Sequence, residues 1–216
     1  LPSNSYMAYS NDNLGTNSVV AQLLAGKVPV MSAADLYLNE HREYGLSTYS
    51  KHSDGTGVAI SSRLRPILNM RPKYRHWLSP SLWQLNADLH LTDWLEEKNI
   101  DFDVVTDEDL HIEGVDMLNR YRCVLTGSHP EYSSEKMLAA YESYQLNGGR
   151  WIYLGSDGFY WISEYHPDNP NIIEVRKGEA GTRAWTANPG EYNNALTENT
   201  EECGELVEEY LQKCVV

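Results

Sequence analysis

In DLHLTDWLEEKN, Leu91, Trp94 and Leu95 fall at i, i+3 and i+4 between polar and acidic positions, which predicts an amphipathic helix from Asp88 to about Asn99. The apolar stretch FDVVT over 102–106 predicts a strand directly after it. EGVDMLNRY then predicts a short helix, and the run CVLTG a second strand within 121–126. Ser133 or Ser134 can cap a helix that carries Met137, Tyr141 and Tyr144 on one face, and Gly148-Gly149 ends it. WIYLG predicts a third strand over 151–154. Continuous apolar strands alternating with helices predict an α/β fold, a parallel sheet flanked by helices.

In such sheets ligands bind beyond the carboxyl ends of the strands. That rule selects two loops, Ser128-His129-Pro130-Glu131 after the second strand and Ser156-Asp157-Gly158-Phe159 after the third. His129 and Asp157 are therefore expected on one edge of the sheet. Upstream the pattern fades: SYMAYSNDNLGTNS and YGLSTYSKHSDGTG show no sustained period, and Pro66, Pro72 and Pro80 interrupt the stretch from Arg63 to Trp83. Residues 1–87 read as an irregular N-terminal segment, 88–192 as the α/β domain, and 193–216 as an acidic tail. In that tail Leu206, Val207, Tyr210, Leu211 and Cys214 share a stripe, which predicts a surface helix.

Charge narrows the partners. The chain's 216 residues carry 17 Lys and Arg against 31 Asp and Glu, a formal net charge of -14, with the cations scattered. A phosphate backbone is bound by clustered cations, so nucleic acid is excluded as a partner. Apolar runs fall short of the roughly 20 residues a membrane helix needs, so no membrane association is expected. The cysteines, Cys123, Cys203 and Cys214, fit neither a disulfide framework nor a CxxC zinc site, which points to a reducing, cytoplasmic compartment. The opening LPSNSYMAYSND has no basic stretch followed by an apolar one, and so no leader pattern.

The chain has no nucleophile elbow: Gly127-Ser128-His129 lacks the second glycine, and Cys123 at a strand start reads as a buried hydrophobe. His129 and Glu131, two apart in an extended segment, point to one face and pair a base with an anionic ligand. Glu131 can equally serve as a favourable charge at the next helix N-terminus. Tyrosine is abundant, 15 against 2 Phe. Most of these are expected in the core or at interfaces, although a phenolate also suits a hard, highly charged metal. His52 and Asp54 in HSDGTG lack the lysine of a phosphate loop and read as a turn. His76, His90, His111 and His166 have no partner at metal-ligand spacing.

The strings TGSHPEYSSEKMLAAYESYQLNGGRWIYLGSDGFYW, DFDVVTDEDLHIEG and LSTYSKHSDGTGVAISSRLRPILNMRPKY resemble the C-terminal part of the large (beta) subunit of the N,N-dimethylformamidase family, from about Ser5 to about Tyr192. The resemblance implies an amidohydrolase of small N-substituted formamides with a mononuclear Fe(III) held by two tyrosines and a glutamate. By motif these are Tyr49 of STYSKHSDG, Tyr9 of YMAYSND, with Tyr6 the alternative three residues away, and Glu131 of SHPEY. His129 would be the catalytic histidine, acting as base toward water or protonating the leaving amine. Asp157 stands where the family commonly has Asn, which adds an acid beside the site. Phe159, Tyr160 and Trp161 are the nearest candidates for a small apolar substrate pocket.

The resemblance also implies a sheet like that of class I glutamine amidotransferases, a flavodoxin-like arrangement, without their cysteine nucleophile. The family's subunit is several times longer, with a catalytic acid beyond the matching region, so a fragment or a shortened, inactive relative is expected. A small partner subunit and a homo-oligomer are the expected assemblies. The rival reading is a non-catalytic α/β module that binds a carbohydrate or a partner subunit through exposed aromatics.

Overall fold

The computed structural model describes residues 1–12, 33–52, 56–75 and 81–175, which form a mixed α/β arrangement. The expected tail helix, with Cys203 and Cys214, lies outside the described residues, as do Asp54 and His76. Two short parallel pairs and one antiparallel sheet organise the described residues. Strand β2 (Cys123–Leu125) pairs in parallel with β4 (Arg150–Ile152), and β3 (Tyr132–Ser133) with β5 (Trp161–Ile162). β1 (Ile60–Ser62), β6 (Glu164–His166) and β7 (Asn169–Glu174) form an antiparallel sheet in the order β1-β7-β6.

The helix joining β3 to β4, Glu135–Leu146, starts where its cap dictates: Ser134 Oγ accepts from Met137 N at 3.4 Å. Met137 and Tyr144 are buried in a core with Leu110, Met117, Leu118 and Ala140, and Tyr141 packs against it. The helix ends as Gly148 turns into the left-handed region at φ 84. Between Thr106 and Leu118 two short helices stand where one was expected, Asp107–Glu113 and Val115–Leu118. The first is fixed by a capping box between Thr106 and Asp109. The amphipathic helix runs Leu85–Glu97, with Leu95 buried and Trp94 exposed.

Residues 102–106 form no strand. They run beside a cleft of about 350 Å³ whose lining includes Leu91, Leu95, Phe102, Val104, Val105 and Val124. Their apolar side chains are spent on that lining, and Thr106 already serves as a helix cap, so among the described residues β2 pairs with β4 alone.

The N-terminal segment contains order that periodicity did not announce. Helix α1, Ser3–Ala8, buries Asn4, Ser5, Tyr6, Met7 and Ala8. It packs against β1, β3, β7 and the helix at Asp107–Glu113. Its polar residues are tied down by distant partners: Asn4 N donates to Asp107 Oδ2 at 2.9 Å, and Tyr165 Oη donates to Asn4 Oδ1 at 2.5 Å. A further helix, Ala33–Glu40, lies where loops were expected. Among the described residues no helix is long and apolar enough to cross a membrane.

Candidate functional site

The end of α1 sets the site. Helix termini leave backbone carbonyls unsatisfied, and here Ala8 O accepts from Thr48 N at 3.1 Å, Thr48 Oγ1 at 2.9 Å and Ser47 Oγ at 3.2 Å. That bracing delivers Tyr49 to Tyr9, the C-cap of α1, and the two rings stack at 4.2 Å between centroids, 19° from parallel. Glu131 arrives from the other side. Its carbonyl accepts from Trp161 N at 2.9 Å, while its own N donates to Ser5 Oγ at 3.3 Å. Ser5 Oγ in turn donates to His129 O at 2.5 Å, so one serine of α1 straps the whole His129–Glu131 segment.

Three oxygens converge there. Tyr49 Oη stands 2.6 Å from Tyr9 Oη and 3.0 Å from Glu131 Oε1, and Tyr9 Oη donates to Glu131 Oε1 at 3.2 Å. A fourth, Tyr132 Oη, lies 2.5 Å from Tyr49 Oη. Tyr49, Glu131 and Tyr132 are buried, and Tyr9 is partly so. Burial first, and the Glu131 charge second, raise the Tyr9, Tyr49 and Tyr132 phenols above the ordinary tyrosine range. Without a cation these phenols therefore keep their protons. Tyr6 is not part of the cluster, because its hydroxyl donates to Asp88 Oδ2.

The two loops chosen by the strand-end rule lie side by side. Ser156 N donates to Ser128 O at 3.0 Å, and Gly155 lies so close that an added Cβ would collide with Pro130 Cδ. Asp88, buried, holds the first loop by accepting from Ser128 N at 2.5 Å. Across the two loops His129 Nδ1 stands 4.0 Å from Asp157 Oδ2, the histidine largely enclosed and the aspartate exposed. Asp157 sits at φ 50, a left-handed conformation that Asp and Asn tolerate better than most residues.

Of the three pocket candidates, Trp161 shares a core with Met7, Ala8, Tyr49 and Tyr132. Phe159 packs into a different core with Leu138 and Ile162, and Tyr160 is exposed.

Sequence reasoning passed over Ser5, Trp83 and Tyr132. Trp83 Nε1 donates to His129 Nε2 at 3.1 Å, and its ring stands edge-on to Tyr9 at 4.8 Å between centroids. Only the place of Tyr132 beside Glu131 in SHPEY was a signal. Two other histidines make local contacts: His111 Nδ1 lies 2.7 Å from Ser134 Oγ, and His166 Nδ1 accepts from Asp168 N at 3.2 Å. His52 N closes a turn by donating to Thr56 O at 2.8 Å. Cys123 is half-buried rather than fully enclosed. Among the described residues no three His, Cys, Asp or Glu side chains are grouped to hold a metal. The phenol and carboxylate oxygens are the candidate donor set.

The chain thus combines a mixed α/β fold with a buried cluster of phenol and carboxylate oxygens and a histidine on the neighbouring strand-end loop. The chain belongs to the N,N-dimethylformamidase beta subunit-like, C-terminal family, whose model matches residues 1–207. It is 49% identical over 190 residues to the N,N-dimethylformamidase beta subunit of Paracoccus aminophilus. To the N,N-dimethylformamidase beta subunit of an Alcaligenes species it is 47% identical over 190 residues. Each alignment covers 88% of this chain and 25% of the relative, so the chain spans about a quarter of the length of the curated relatives it matches.

Proposed function

We propose that this chain carries the metal-binding and histidine part of an amidohydrolase that cleaves small N-substituted formamides. The observation that carries the reading is the convergence of Tyr9, Tyr49 and Glu131 oxygens in a chain about half identical to N,N-dimethylformamidase beta subunits. The donor set fits a hard trivalent cation. Oxygens bound to one such ion at about 2 Å stand about 3 Å apart when adjacent, which the observed edges of 2.6–3.2 Å match. Their three negative charges, once the phenols lose their protons, suit mononuclear Fe(III) better than zinc, which takes N and S ligands. The same edges are hydrogen-bond lengths, so Tyr9 Oη, Tyr49 Oη and Glu131 Oε1 hold one another before an ion enters.

Bound Fe(III) supplies Lewis acidity, polarising an amide carbonyl and lowering the pKa of water. The protein's own work is positional. Ser5 and the β3–β5 pairing hold Glu131, the Ser47-Thr48 turn holds Tyr49, and His129 and Asp157 present polar groups at the neighbouring loop edge. Trp161 packs in the core with Met7, Ala8, Tyr49 and Tyr132 and so supports the tyrosine side of the cluster. The crossover from β2 through the helix at Glu135–Leu146 to β4 supports a sheet of the class I glutamine amidotransferase type. The relatives' designation as beta subunits supports assembly with a partner subunit, and Cys123, free among the described residues, suits a reducing cytoplasm.

Iron content decides the reading, because a binding module has no use for two phenolates and a carboxylate around one atom. The iron-loaded protein is expected to be coloured by phenolate-to-iron charge transfer and to bleach on reduction. Glu131→Ala is expected to lower iron occupancy at least tenfold; unchanged occupancy assigns the carboxylate to a purely structural role. Amine release from a dialkylformamide, measured for this chain and for one extended by flanking sequence, tests how much further chain the activity needs. Iron bound with no hydrolysis in either chain would favour a shortened, inactive relative.

A further inference from the structure

We propose that Trp83 is a positioning residue that holds His129 in its Nδ1–H tautomer, with the proton turned toward Asp157 and the Nε2 lone pair engaged instead of free to act as a base. The inference rests on the reading above for its functional meaning, and on geometry alone for the tautomer.

An indole N–H can only donate. Trp83 Nε1 lies 3.1 Å from His129 Nε2, so Nε2 is the acceptor. Neutral imidazole has one N–H and one lone pair, and with the lone pair at Nε2 the proton belongs to Nδ1. Nδ1 is also the nitrogen that faces the Asp157 carboxylate, 4.0 Å away. An imidazole held this way has its lone pair engaged by the indole and cannot take a proton from water while that contact lasts. Its N–H is turned toward the Asp157 carboxylate, and Nδ1 itself is buried.

Trp83 is built to stay in place. Its ring lies edge-on to Tyr9 at 4.8 Å and to His129 at 5.6 Å, so one side chain touches both a candidate metal ligand and the histidine. The next residue, Gln84, is fully buried at φ 50 and ψ -127, a conformation that side-chain-bearing residues rarely adopt. Gln84 Nε2 donates to Ser5 O at 3.3 Å, and Gln84 O accepts from Ala87 N at 2.8 Å and Asp88 N at 2.9 Å. A strained backbone clamped at both its side chain and its carbonyl is a turn held for what it presents, and here that is the indole. Ser5 ties the clamp to the histidine loop, since its Oγ donates to His129 O.

The test is the nitrogen-15 spectrum of histidine-labelled full chain before iron is added, at a pH well above the ordinary histidine range. Long-range proton–nitrogen correlations then separate the two neutral tautomers. In the wild-type protein the His129 ring is expected to be predominantly Nδ1–H, opposite to the Nε2–H form favoured by free neutral histidine. Trp83→Phe keeps an aromatic edge against Tyr9 but removes the donor, and is expected to shift the tautomer ratio about fivefold or more toward Nε2–H. A wild-type ring in the Nε2–H form, or a ratio unchanged by Trp83→Phe, overturns the proposal. Should Trp83→Phe not fold, His129→Phe serves instead: the Trp83 indole proton is expected to move upfield, and an unmoved resonance overturns the contact. None of these readouts needs iron or turnover. Loss of the metal reading therefore leaves the tautomer result standing, and loss of the tautomer result leaves the metal reading standing.

Discussion

Helix α1 and the helix at Glu135–Leu146 are both buried, by opposite means. The longer helix buries Met137, Leu138, Ala140 and Tyr144 against apolar neighbours, and its start is set by one local serine cap. Helix α1 buries Asn4 and Ser5 as completely as Met7 and Ala8, and its polar groups are satisfied by residues more than a hundred positions away. The first is held by an area effect that is non-directional and tolerant of small shifts. The second is held by directional hydrogen bonds, and its end carries Tyr9 and braces Tyr49. The scaffold of the fold and the placement of the site thus depend on different forces.

Truncation in each region should separate them. Leu138→Ala truncates a buried side chain packed on Phe159 and Ile162 and is expected to cost about 3 kcal/mol in denaturant unfolding, with iron uptake by the folded fraction unchanged. Asn4→Ala leaves Tyr165 Oη and Ser163 Oγ without their buried partner, and is expected to cost about 2 kcal/mol. Unlike Leu138→Ala it should also weaken iron uptake, because α1 carries Ser5 and ends at Tyr9. Equal effects on iron from the two substitutions would end the distinction.

The same contrast explains what could be read in the sequence. The stripe of Met137, Tyr141 and Tyr144, the Ser134 cap and the Gly148 stop are local signals, and the structure has them where the spacing puts them. The juxtaposition of the His129 and Asp157 loops follows from the strand-end rule. Helix α1 escaped notice because Asn4 and Ser5 carry no apolar period, although they lie in the core. The apolar run at 102–106 misled for the converse reason: its side chains line a cleft beside β2 instead of joining the sheet. No spacing could bring Tyr9 to Glu131; only the family resemblance nominated them together. Trp83 had no signal, since its meaning arises from a turn at Gln84 that no local pattern marks.

His111 stands at the seam between the two regions and should register in both. Its Nδ1 is 2.7 Å from Ser134 Oγ, the cap of one helix, and its ring lies 4.3 Å from that of Tyr165, which donates to Asn4 of the other. Burial, with Lys136 adding repulsion, pulls the imidazole down to about 4. The sign follows: between the unfolded value near 6.5 and about 4, the unfolded chain takes up a proton that the folded chain refuses. Stability contributed by the neutral ring is therefore full above about 6.5 and is lost as pH falls toward 4. Because the ring is half-exposed, solvent screening reduces the effect to about 1 kcal/mol. His111→Gln is expected to flatten the unfolding free energy over that window, and a variant curve parallel to wild type would remove His111 from the seam.

A substitution expected to leave both fold and iron occupancy nearly unchanged probes the directional side alone. Tyr132 Oη is 2.5 Å from Tyr49 Oη, and Tyr132 is fully buried, so Tyr132→Phe deletes one hydrogen bond while filling nearly the same volume. Once Tyr49 is a phenolate, a hydroxyl beside it can only donate, drawing electron density away from the oxygen that binds the cation. Removing that donor leaves the phenolate richer and its charge-transfer band at lower energy. A hydrogen bond to a charged group is worth about 1.5–3 kcal/mol, which corresponds to a red shift of roughly 10–25 nm for a band in the middle of the visible. Iron occupancy should stay near wild type, since Tyr9, Tyr49 and Glu131 all remain. A band that does not move would mean that Tyr49 is not bound through its phenolate or that Tyr132 does not donate to it. Loss of the iron itself would make Tyr132 a ligand rather than a neighbour of one.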